Sequence, residues 1–580
     1  MTESSHADDP EASGRLLFAV ALLAGALLRL IQLGHPDLFG GDEGLWAVGA
    51  RNIVEGGLGQ LLGLSHVPLG EPSGTPILFP AILSVMVRVF GPVEWAIRLP
   101  SAMAGLLSAL LLERIVRRGF GQPAGHLAGA FAALFPPLVA ASRTATVEPT
   151  LTALGFLGLI FGIRAFEEDL PREAPLSGLA FGLGFLAKGY AIGLFMAPLA
   201  LALALRPGLF RIGRTRRSLW LLLGTFAAVG GSQLLLTALL RPALLRFQLG
   251  SAFGVVGPSS WSFDPALLGA ELKAIVRTLG LFFPLIGAGV AFLLRPLSDR
   301  EVESGATGGE RRIAHGALWA VYALELVLLV VVNGNFQLSS APALPALAAF
   351  AGFGATALFV PLRERATART ETRFTLVAGA VALLTAAILF ELGNLRIERG
   401  GDPTFGLPIV LVGIAIATLA SALLAWGVRS PLVGGRATIA FVAAFLVFAG
   451  IESARVIRQG LLTHRNGSRE LADQIEPLVA PLPVRTAAFR APEPDALAYR
   501  LFRTGLSWTG AGTVSTIENE VRSGTMRCWA YREKAPAGEE APPAPVRAWL
   551  AQHLTDVTTE VDARAGRATG LRVFVAGPRP

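Results

Sequence analysis

The chain has 580 residues, of which 52% are hydrophobic and 16% are charged, and its mean hydropathy is +0.56. These values exclude a soluble globular protein of ordinary composition. The net charge of +8 does not indicate a nucleic-acid partner, because the excess arginines lie in short loops beside apolar segments, where they orient a membrane protein. The single cysteine, Cys528, excludes an intramolecular disulfide and a cysteine-based metal site.

The first part of the chain predicts a tail, a membrane anchor and an outer loop. Residues 1–15 are polar and are expected in the cytoplasm. Residues 16–33 are expected to form the first span, since a helix of about 20 apolar residues crosses a bilayer. This span lacks a small-residue cleavage site, so we expect it to be retained. Residues 34–94 form the outer loop, and the short apolar stretch 77–91 within it is expected to lie along the membrane interface.

The charge pattern orients the remaining spans. The segment 95–116 ends in Arg114, Arg117 and Arg118, which the positive-inside rule places in the cytoplasm. Continued alternation predicts about 13 spans, with the amino terminus inside and the carboxyl terminus outside. The later spans are expected at residues 123–141, 150–165, 175–187, 190–205, 218–240, 273–294, 314–332, 342–360, 374–392, 406–427 and 437–455.

The composition changes after the last predicted span. Residues 456–580 are polar, and short β-like runs such as 484–489 and 571–576 flank a helix-like piece at 546–554. This pattern is typical of a small α/β domain, which the topology places outside the cytoplasm. The predicted fold class is therefore an α-helical polytopic membrane protein, with a transmembrane domain at 16–455 and an extracytoplasmic α/β domain at 456–580.

Two adjacent carboxylates, Asp42 and Glu43, follow the first predicted span. Adjacent acids cannot share one face of a helix, but both are favourable at a loop-to-helix junction, because acidic residues stabilise a helix amino terminus. One interpretation is therefore a helix cap on a solvated loop. The other is a carboxylate that acts as a general base or holds a cation near a phosphate.

Two further ionisable groups are expected on the same membrane face. Arg143 and Glu148 lie at the junction of two predicted spans, where charged groups are costly unless they have a partner or a function. An ion pair between them is the simplest interpretation. Lys188, followed by Gly189, interrupts a long apolar run and is either an interfacial lysine that reaches toward water or a point charge for a phosphate.

Four segments resemble the GT-C membrane glycosyltransferases, in particular the protein mannosyltransferase and aminoarabinose transferase branch. The first is GDEGLW at 41–46, and the most specific is EWAIRLPSA at 94–102. GLGFLAKG at 182–189 is similar to the Lys-Gly turn of this family, while EPSGTP at 71–76 matches loosely. The turn from Arg143 to Glu148 resembles the second acidic site of the family. The likeness is strong over residues 15–205.

The resemblance implies an inverting glycosyltransferase that takes a sugar from a polyprenyl-phosphate carrier at the outer face of a bacterial plasma membrane. The acceptor would be a lipid, a polysaccharide or a protein. Asp42 would be the leading catalytic carboxylate, with Glu43 beside it and Glu148 as the second acid, and Lys188 would contact a phosphate. No cofactor is firmly implied, although a divalent cation between Asp42 and Glu148 is chemically reasonable, because hard cations prefer oxygen ligands.

Two departures from the family remove positive charge from the expected phosphate site. Thr75 stands where a lysine is usual before the proline, and the uncharged stretch 333–342 stands where basic residues are common. The carrier phosphate would then be held by other basic residues, for which the candidates are Arg143, Lys188, Arg241 and Arg246. The alternative is a catalytically degenerate relative that binds a lipid or a partner. A transporter is less favoured, because we find no internal repeat.

Overall fold

The structure is a computed structural model of the 580-residue chain, and it is mostly helical. It describes residues 10–34, 42–56, 77–205, 213–240, 282–294, 314–325, 344–359, 446–447, 449–455, 457, 471, 476, 487–491, 504–506, 513–523, 526–532, 542–565 and 571–576. The predicted spans at 374–392 and 406–427 lie outside these residues. Every structural statement below concerns the described part of the chain.

Helices dominate the described residues between 10 and 359, and they include most of the spans predicted there. In chain order they are α1 Pro10–Leu30, α2 Asp42–Gly56, α3 Leu78–Phe90, α4 Glu94–Phe120, α5 Gln122–Leu134, α6 Pro136–Ser142, α7 Glu148–Glu167, α8 Glu173–Lys188, α9 Gly193–Ala204, α10 Gly213–Leu240, α11 Phe283–Leu294 and α12 Pro345–Phe359. A 3₁₀ turn at Gly189–Ile192 joins α8 to α9. The segment 314–325 is also helical.

Three of the described helices are long and apolar enough to cross a membrane, and a fourth span results if one bent pair is counted. The three are Glu94–Phe120, Glu148–Glu167 and Thr215–Leu239. The predicted spans at 95–116, 150–165, 175–187 and 218–240 each fall within one helix. Helix α3 has only 13 residues, about 20 Å at 1.5 Å per residue, and is therefore too short to span.

The predicted span at 123–141 corresponds to two helices, α5 and α6, which together are long and apolar enough to form one broken span. The chain bends by 56° between α5 and α6. Pro136 and Pro137 lack the N–H groups that would continue the helical ladder, so they end α5 and begin a new helix. The carbonyl of Ala133 would pair with residue 137 in an unbroken helix, and it instead accepts a hydrogen bond from Arg29 Nη1 at 2.5 Å.

Helix α5 is the centre of the bundle. All of its residues from Ala124 to Leu134 are buried, and it packs against α1, α4 and α12. Small residues allow these close contacts, because a Cβ at Gly352 would stand 2.6 Å from the backbone of Ala128. Interfaces rich in glycine and alanine are typical of packed membrane helices, whose backbones approach closely.

The end of α4 that carries Arg117 and Arg118 is rich in ion pairs. Arg118 donates to Glu167 at 3.1 Å and to Glu168 at 2.6 Å. Beyond the end of α7, the hydrogen bond from Arg118 lowers the pKa of Glu168. Since α4 has 27 residues, this basic end lies about 40 Å from the Glu94 end of the same helix.

The last hundred residues contain a five-stranded mixed sheet in the order β2-β1-β3-β5-β4. Its strands are β1 Ala487–Arg490, β2 Thr504–Leu506, β3 Cys528–Arg532, β4 Thr555–Asp556 and β5 Leu571–Val575, and its helices are α13 Val514–Ser523, α14 Ala544–His553 and α15 Thr558–Ala565. Strand β1 runs parallel to β2 and β3, while β5 runs antiparallel to β3 and β4. The predicted runs at 571–576 and 546–554 correspond to β5 and α14.

Side chains alternate between the two faces of this sheet, as the two-residue period of a strand requires. Trp529 and Phe574 belong to a cluster with Leu550 of α14, and Trp529 Nε1 donates to Glu520 at 2.9 Å. Cys528 and its pairing partner Val575 lie on the opposite face and are buried. Both faces of the sheet are therefore covered.

Cys528 provides a direct test of this packing. Its side chain is 1% exposed, and burial raises the pKa of the thiol, which lowers the fraction of reactive thiolate at neutral pH. We expect the folded protein to resist alkylation by iodoacetamide and the denatured protein to react fully. Mass spectrometry of the peptide that contains Cys528 measures both states, and rapid labelling of the folded protein would contradict the packing.

Candidate functional site

The acidic pair lies at the beginning of α2, as the loop-to-helix interpretation predicts. Asp42 is the first residue of the helix, and Glu43 is the second. Beyond this backbone position, the side chain of Asp42 lies outside the described part of the structure. The side chain of Glu43 is 2% exposed, so the solvated-cap interpretation is wrong for Glu43.

Glu43 and Arg98 form a buried ion pair with two hydrogen bonds. Arg98 Nε donates to Glu43 Oε1 at 2.7 Å, and Arg98 Nη2 donates to Glu43 Oε2 at 2.9 Å. The planar guanidinium matches the carboxylate, which is the strongest geometry for such a pair. The backbone N–H of Ala145 also donates to Glu43 Oε1 at 2.8 Å, and Arg98 Nη1 donates to the carbonyl of Leu33 at 3.0 Å. The ion pair thus joins α2 to α4. Through the carbonyl of Leu33 and the N–H of Ala145, it also links these helices to the residues after α1 and to the turn before α7.

Arg143 closes the end of α1. Its guanidinium donates to four backbone carbonyls at 2.6–3.3 Å, those of Leu28, Arg29, Ile31 and Gln32. A basic side chain in this position satisfies carbonyls that have no partner within the helix. Burial, with a smaller contribution from the charge of Arg98, lowers the pKa of Arg143 to about 10, so it remains protonated at neutral pH.

Glu148 pairs with Lys188, and not with Arg143 as the simplest sequence interpretation predicted. Lys188 Nζ donates to Glu148 Oε1. Glu148 begins α7, where the helix dipole favours a carboxylate, and Lys188 ends α8. Gly189 follows with φ +46°, a conformation that suits glycine and ends the helix beside the lysine. Glu148 is 4% exposed and Lys188 is 27% exposed, so the ammonium is accessible to a ligand.

The turn from Arg143 to Val147 brings the two ion pairs together. The N–H of Ala145 donates to Glu43. The carbonyl of the next residue, Thr146, accepts a hydrogen bond from the hydroxyl of Ser101 in α4 at 2.8 Å. Glu148 follows two residues later. An apolar cluster beneath the pairs includes Trp46 of α2, Phe79 of α3 and Ala187 of α8, with the rings of Trp46 and Phe79 edge to face at 5.6 Å. The helix ends are therefore held in one packed unit.

Several predicted site residues lie outside the described part of the chain. These are Arg241, Arg246, Thr75 and the stretch 333–342. Among the described residues, no group of three or more His, Cys, Asp or Glu side chains is placed to hold a metal ion. The predicted cation between Asp42 and Glu148 stays a prediction, because the side chain of Asp42 lies outside the described residues.

The sequence analysis did not assign a role to Arg98. The residue lies within EWAIRLPSA at 94–102, the segment judged most specific. An arginine four residues inside an apolar helix is costly unless it has a partner, and this is the signal that could have singled out Arg98. The identity of the partner was not predictable from it, because Glu55, Glu71 and Glu94 lie nearer to Arg98 in the chain than Glu43 does.

Comparisons with known proteins agree with this architecture. Residues 74–236 match the family described as dolichyl-phosphate-mannose-protein mannosyltransferase. An undecaprenyl phosphate-alpha-4-amino-4-deoxy-L-arabinose arabinosyl transferase of Pseudomonas aeruginosa is 28% identical over 33% of this chain and 35% of its own length. A Bacillus subtilis protein, YycA, is 34% identical over 18% of this chain and 16% of its own length. The matches thus span about a third or less of the curated relatives.

A solved structure extends the likeness to nearly the whole chain. ArnT from Cupriavidus metallidurans, bound to undecaprenyl phosphate, superposes with a TM-score of 0.59 and 17% identity over 97% of this chain and 98% of its own. The chain therefore shares the fold of this ArnT structure, and residues 74–236 resemble the protein mannosyltransferase family. The matched range includes Arg98, Arg143, Glu148 and Lys188, while Asp42 and Glu43 precede it.

Proposed function

We propose that this GT-C protein transfers a sugar from a polyprenyl-phosphate carrier to an acceptor at the outer face of a bacterial plasma membrane. The observation that carries the proposal is the ion pair between the buried Glu148 and the partly exposed Lys188, beside the turn that binds Glu43. The solved ArnT structure with undecaprenyl phosphate supports a lipid-linked donor. Sequence alone supports the outer location, the amino terminus in the cytoplasm and the carboxyl-terminal domain on the outer side.

The proposed chemistry follows from where charge develops in the reaction. The bond between the anomeric carbon of the sugar and the carrier phosphate breaks, and the acceptor oxygen forms a new bond to that carbon from the opposite face. Positive charge develops on the sugar, and negative charge develops on the leaving phosphate. Asp42 takes the acceptor proton. Lys188 donates hydrogen bonds to the leaving phosphate, because an ammonium has three donors and Glu148 engages one of them.

Glu43 and Arg143 have positioning roles in this proposal. Both carboxylate oxygens of Glu43 accept hydrogen bonds from Arg98, so this side chain fixes the beginning of α2, where Asp42 stands. Arg143 donates to the carbonyls at the end of α1, which favours a structural link over the predicted phosphate contact. Arg241 and Arg246 remain candidate phosphate ligands on sequence grounds.

The two partners Lys188 and Glu148 are expected to differ in what they contribute. Replacing Lys188 with methionine removes the charge opposite the leaving phosphate, and loss of such a group costs roughly 10²–10³-fold in kcat. Lys188→Arg keeps the charge and should retain more activity. Glu148→Gln releases the ammonium from its position. It should therefore lower the rate of sugar transfer clearly while it lowers the unfolding temperature only slightly. Transfer of labelled sugar in proteoliposomes measures each effect.

A basic residue elsewhere provides the control for these variants. Arg217 is exposed near the beginning of α10, and Arg217→Gln should transfer sugar like the parent. Equal activity of Lys188→Met and the parent would remove Lys188 from the phosphate site. The alternative is that the chain is a degenerate relative, which the uncharged Thr75 and the stretch 333–342 favour. In that case the parent should transfer no sugar from any carrier but should still bind carrier lipid.

A further inference from the structure

Helix α3 is apolar on two opposite faces. On one face, Phe79 is buried, and its ring meets that of Trp46 in α2 edge to face at 5.6 Å. On the other face, Val85 is 58% exposed and Val89 is 65% exposed, and Ile82, one turn earlier, is partly exposed. A helix whose outer face met water would carry polar residues there. The outer face of α3 therefore suits an apolar environment.

The exposed face of α3 is continued by aromatic and aliphatic residues of neighbouring elements. Phe90 ends α3, and its exposed ring lies 4.9 Å from that of Trp95 in the first turn of α4, which is also exposed. Trp95 in turn lies beside Gly34, just beyond α1, where a Cβ would stand 3.6 Å from the Cβ of Trp95. The last turns of α1, the first predicted span, expose Leu27 and Leu30. Tryptophan favours the boundary between acyl chains and headgroups, so this surface marks the edge of the membrane.

Arg88 is the one charged residue of α3. Its side chain is exposed, and it lies between Val85 and Val89 in the last turns of the helix. Whereas Arg98 is paired with Glu43, Arg88 has no carboxylate partner within the described part of the chain. An arginine beside membrane-facing residues places its guanidinium at the level of the headgroups. There the planar fork of N–H donors matches the oxygens of a phosphate.

We propose that the outer face of α3 is embedded among lipid acyl chains and that Arg88 binds the phosphate of an anionic phospholipid. A bilayer lipid fits this surface better than a second protein does, because the surface continues that of α1 and carries a charge that no described residue neutralises. A headgroup with a net negative charge is favoured over a zwitterionic one, whose own ammonium competes for the phosphate.

The proposal sharpens the position expected for the stretch 77–91, which was predicted to lie along the interface. Helix α3 lies deeper than an amphipathic surface helix, with only Arg88 at the level of the headgroups. Its inner face also reaches the candidate site, since Phe79 meets Trp46 and a Cβ at Gly49 would stand 3.6 Å from Pro80. The bound lipid thus lies behind the helix that supports α2.

The first test is fluorescence quenching of a bimane label at Val85→Cys, in the full chain in nanodiscs, with Cys528→Ala to remove background labelling. Lipids with brominated acyl chains should quench the label, and iodide in the water should quench it little. Leu235→Cys, exposed on the membrane-crossing helix α10, should behave in the same way. Gln552→Cys, exposed on α14 of the carboxyl-terminal domain, should give the opposite result.

The second test compares brominated phosphatidylglycerol with brominated phosphatidylcholine at equal mole fraction, with the same label at Val85→Cys. The anionic lipid should be enriched around the label by roughly fivefold, the effect of one basic residue at a membrane surface. This preference should fall as salt rises. Arg88→Gln should abolish it and Arg88→Lys should keep most of it, while Arg522→Gln, exposed on α13, should leave it unchanged.

Four results would overturn the proposal. Quenching by iodide but not by brominated lipid places the face in water, and quenching by neither shows that protein covers it. Equal quenching by the two lipids at every salt concentration, or a preference that survives in Arg88→Gln, removes the phosphate from Arg88. The salt series requires no change at Arg88, so it decides the question even if that variant does not fold. None of these measurements depends on the proposed transferase activity.

Discussion

Replacing Asp42 with asparagine is expected to abolish sugar transfer and to leave the protein folded in the membrane. The amide has the size of the carboxylate but cannot accept the acceptor proton, and a general base contributes about 10²–10⁴-fold to such a step. The rate of labelled sugar transfer from a carrier lipid in proteoliposomes measures the loss. The unfolding temperature should stay close to that of the parent, because the Glu43–Arg98 pair that fixes the beginning of α2 is unchanged.

The matched control for this variant is Asp169→Asn. Asp169 lies in the turn between α7 and α8, and its φ of +50° is one that asparagine also tolerates. This isosteric change at the other end of α7 should leave transfer unchanged. If Asp42→Asn transfers sugar as fast as Asp169→Asn, Asp42 is not the base, and Glu148 becomes the remaining acid of the site.

Replacing Arg98 with methionine is expected to be the most destabilising single change in the described site. The carboxylate of Glu43 stays buried in this variant. Of its hydrogen bonds described above, only the one from the N–H of Ala145 remains. Removing one partner of a buried ion pair typically costs about 3–5 kcal/mol. We therefore expect a large fall in the unfolding temperature, together with loss of transfer in proportion to the folded protein that remains.

The double variant Arg98→Met and Glu43→Gln separates the charge from the packing. It removes the buried carboxylate charge as well, so it should recover part of the stability lost in Arg98→Met. A double-mutant cycle measures the coupling between the two residues. If both single variants and the double variant unfold at the same temperature as the parent, the pair makes no contribution to stability. Arg98→Lys should recover little, because an ammonium cannot make the two parallel hydrogen bonds.

Periodic and compositional features were predicted well from the sequence. Runs of apolar residues located α4, α7, α8 and α10, since the length that crosses a bilayer leaves a strong signal. The break at Pro136 was visible in the sequence, but the span at 123–141 was drawn across it. Two consecutive prolines remove two backbone donors, and Arg29 supplies one replacement from a helix a hundred residues earlier. A linear pattern does not contain that contact.

The partners of the charged site residues were harder to predict. The sequence placed Glu43, Arg143, Glu148 and Lys188 on one face, but it paired Arg143 with Glu148 because they are close in the chain. The structure instead pairs Glu148 with Lys188 forty residues later. Helix ends decide the outcome: Arg143 satisfies the carbonyls at the end of α1, and Lys188 meets Glu148 where α8 ends and α7 begins.

The most direct test of the proposed function is a donor-consumption assay with the parent protein. Proteoliposomes that contain the full chain are supplied with undecaprenyl phosphate carrying a labelled sugar and with an envelope lipid extract as acceptor. Labelled donor should fall, and sugar-free carrier should appear in equal amount, with transfer lost in Asp42→Asn. Parallel reactions with EDTA report whether a divalent ion is required. Carrier that stays fully loaded with each of several sugars and with lipid, polysaccharide and protein acceptors would contradict the transferase assignment.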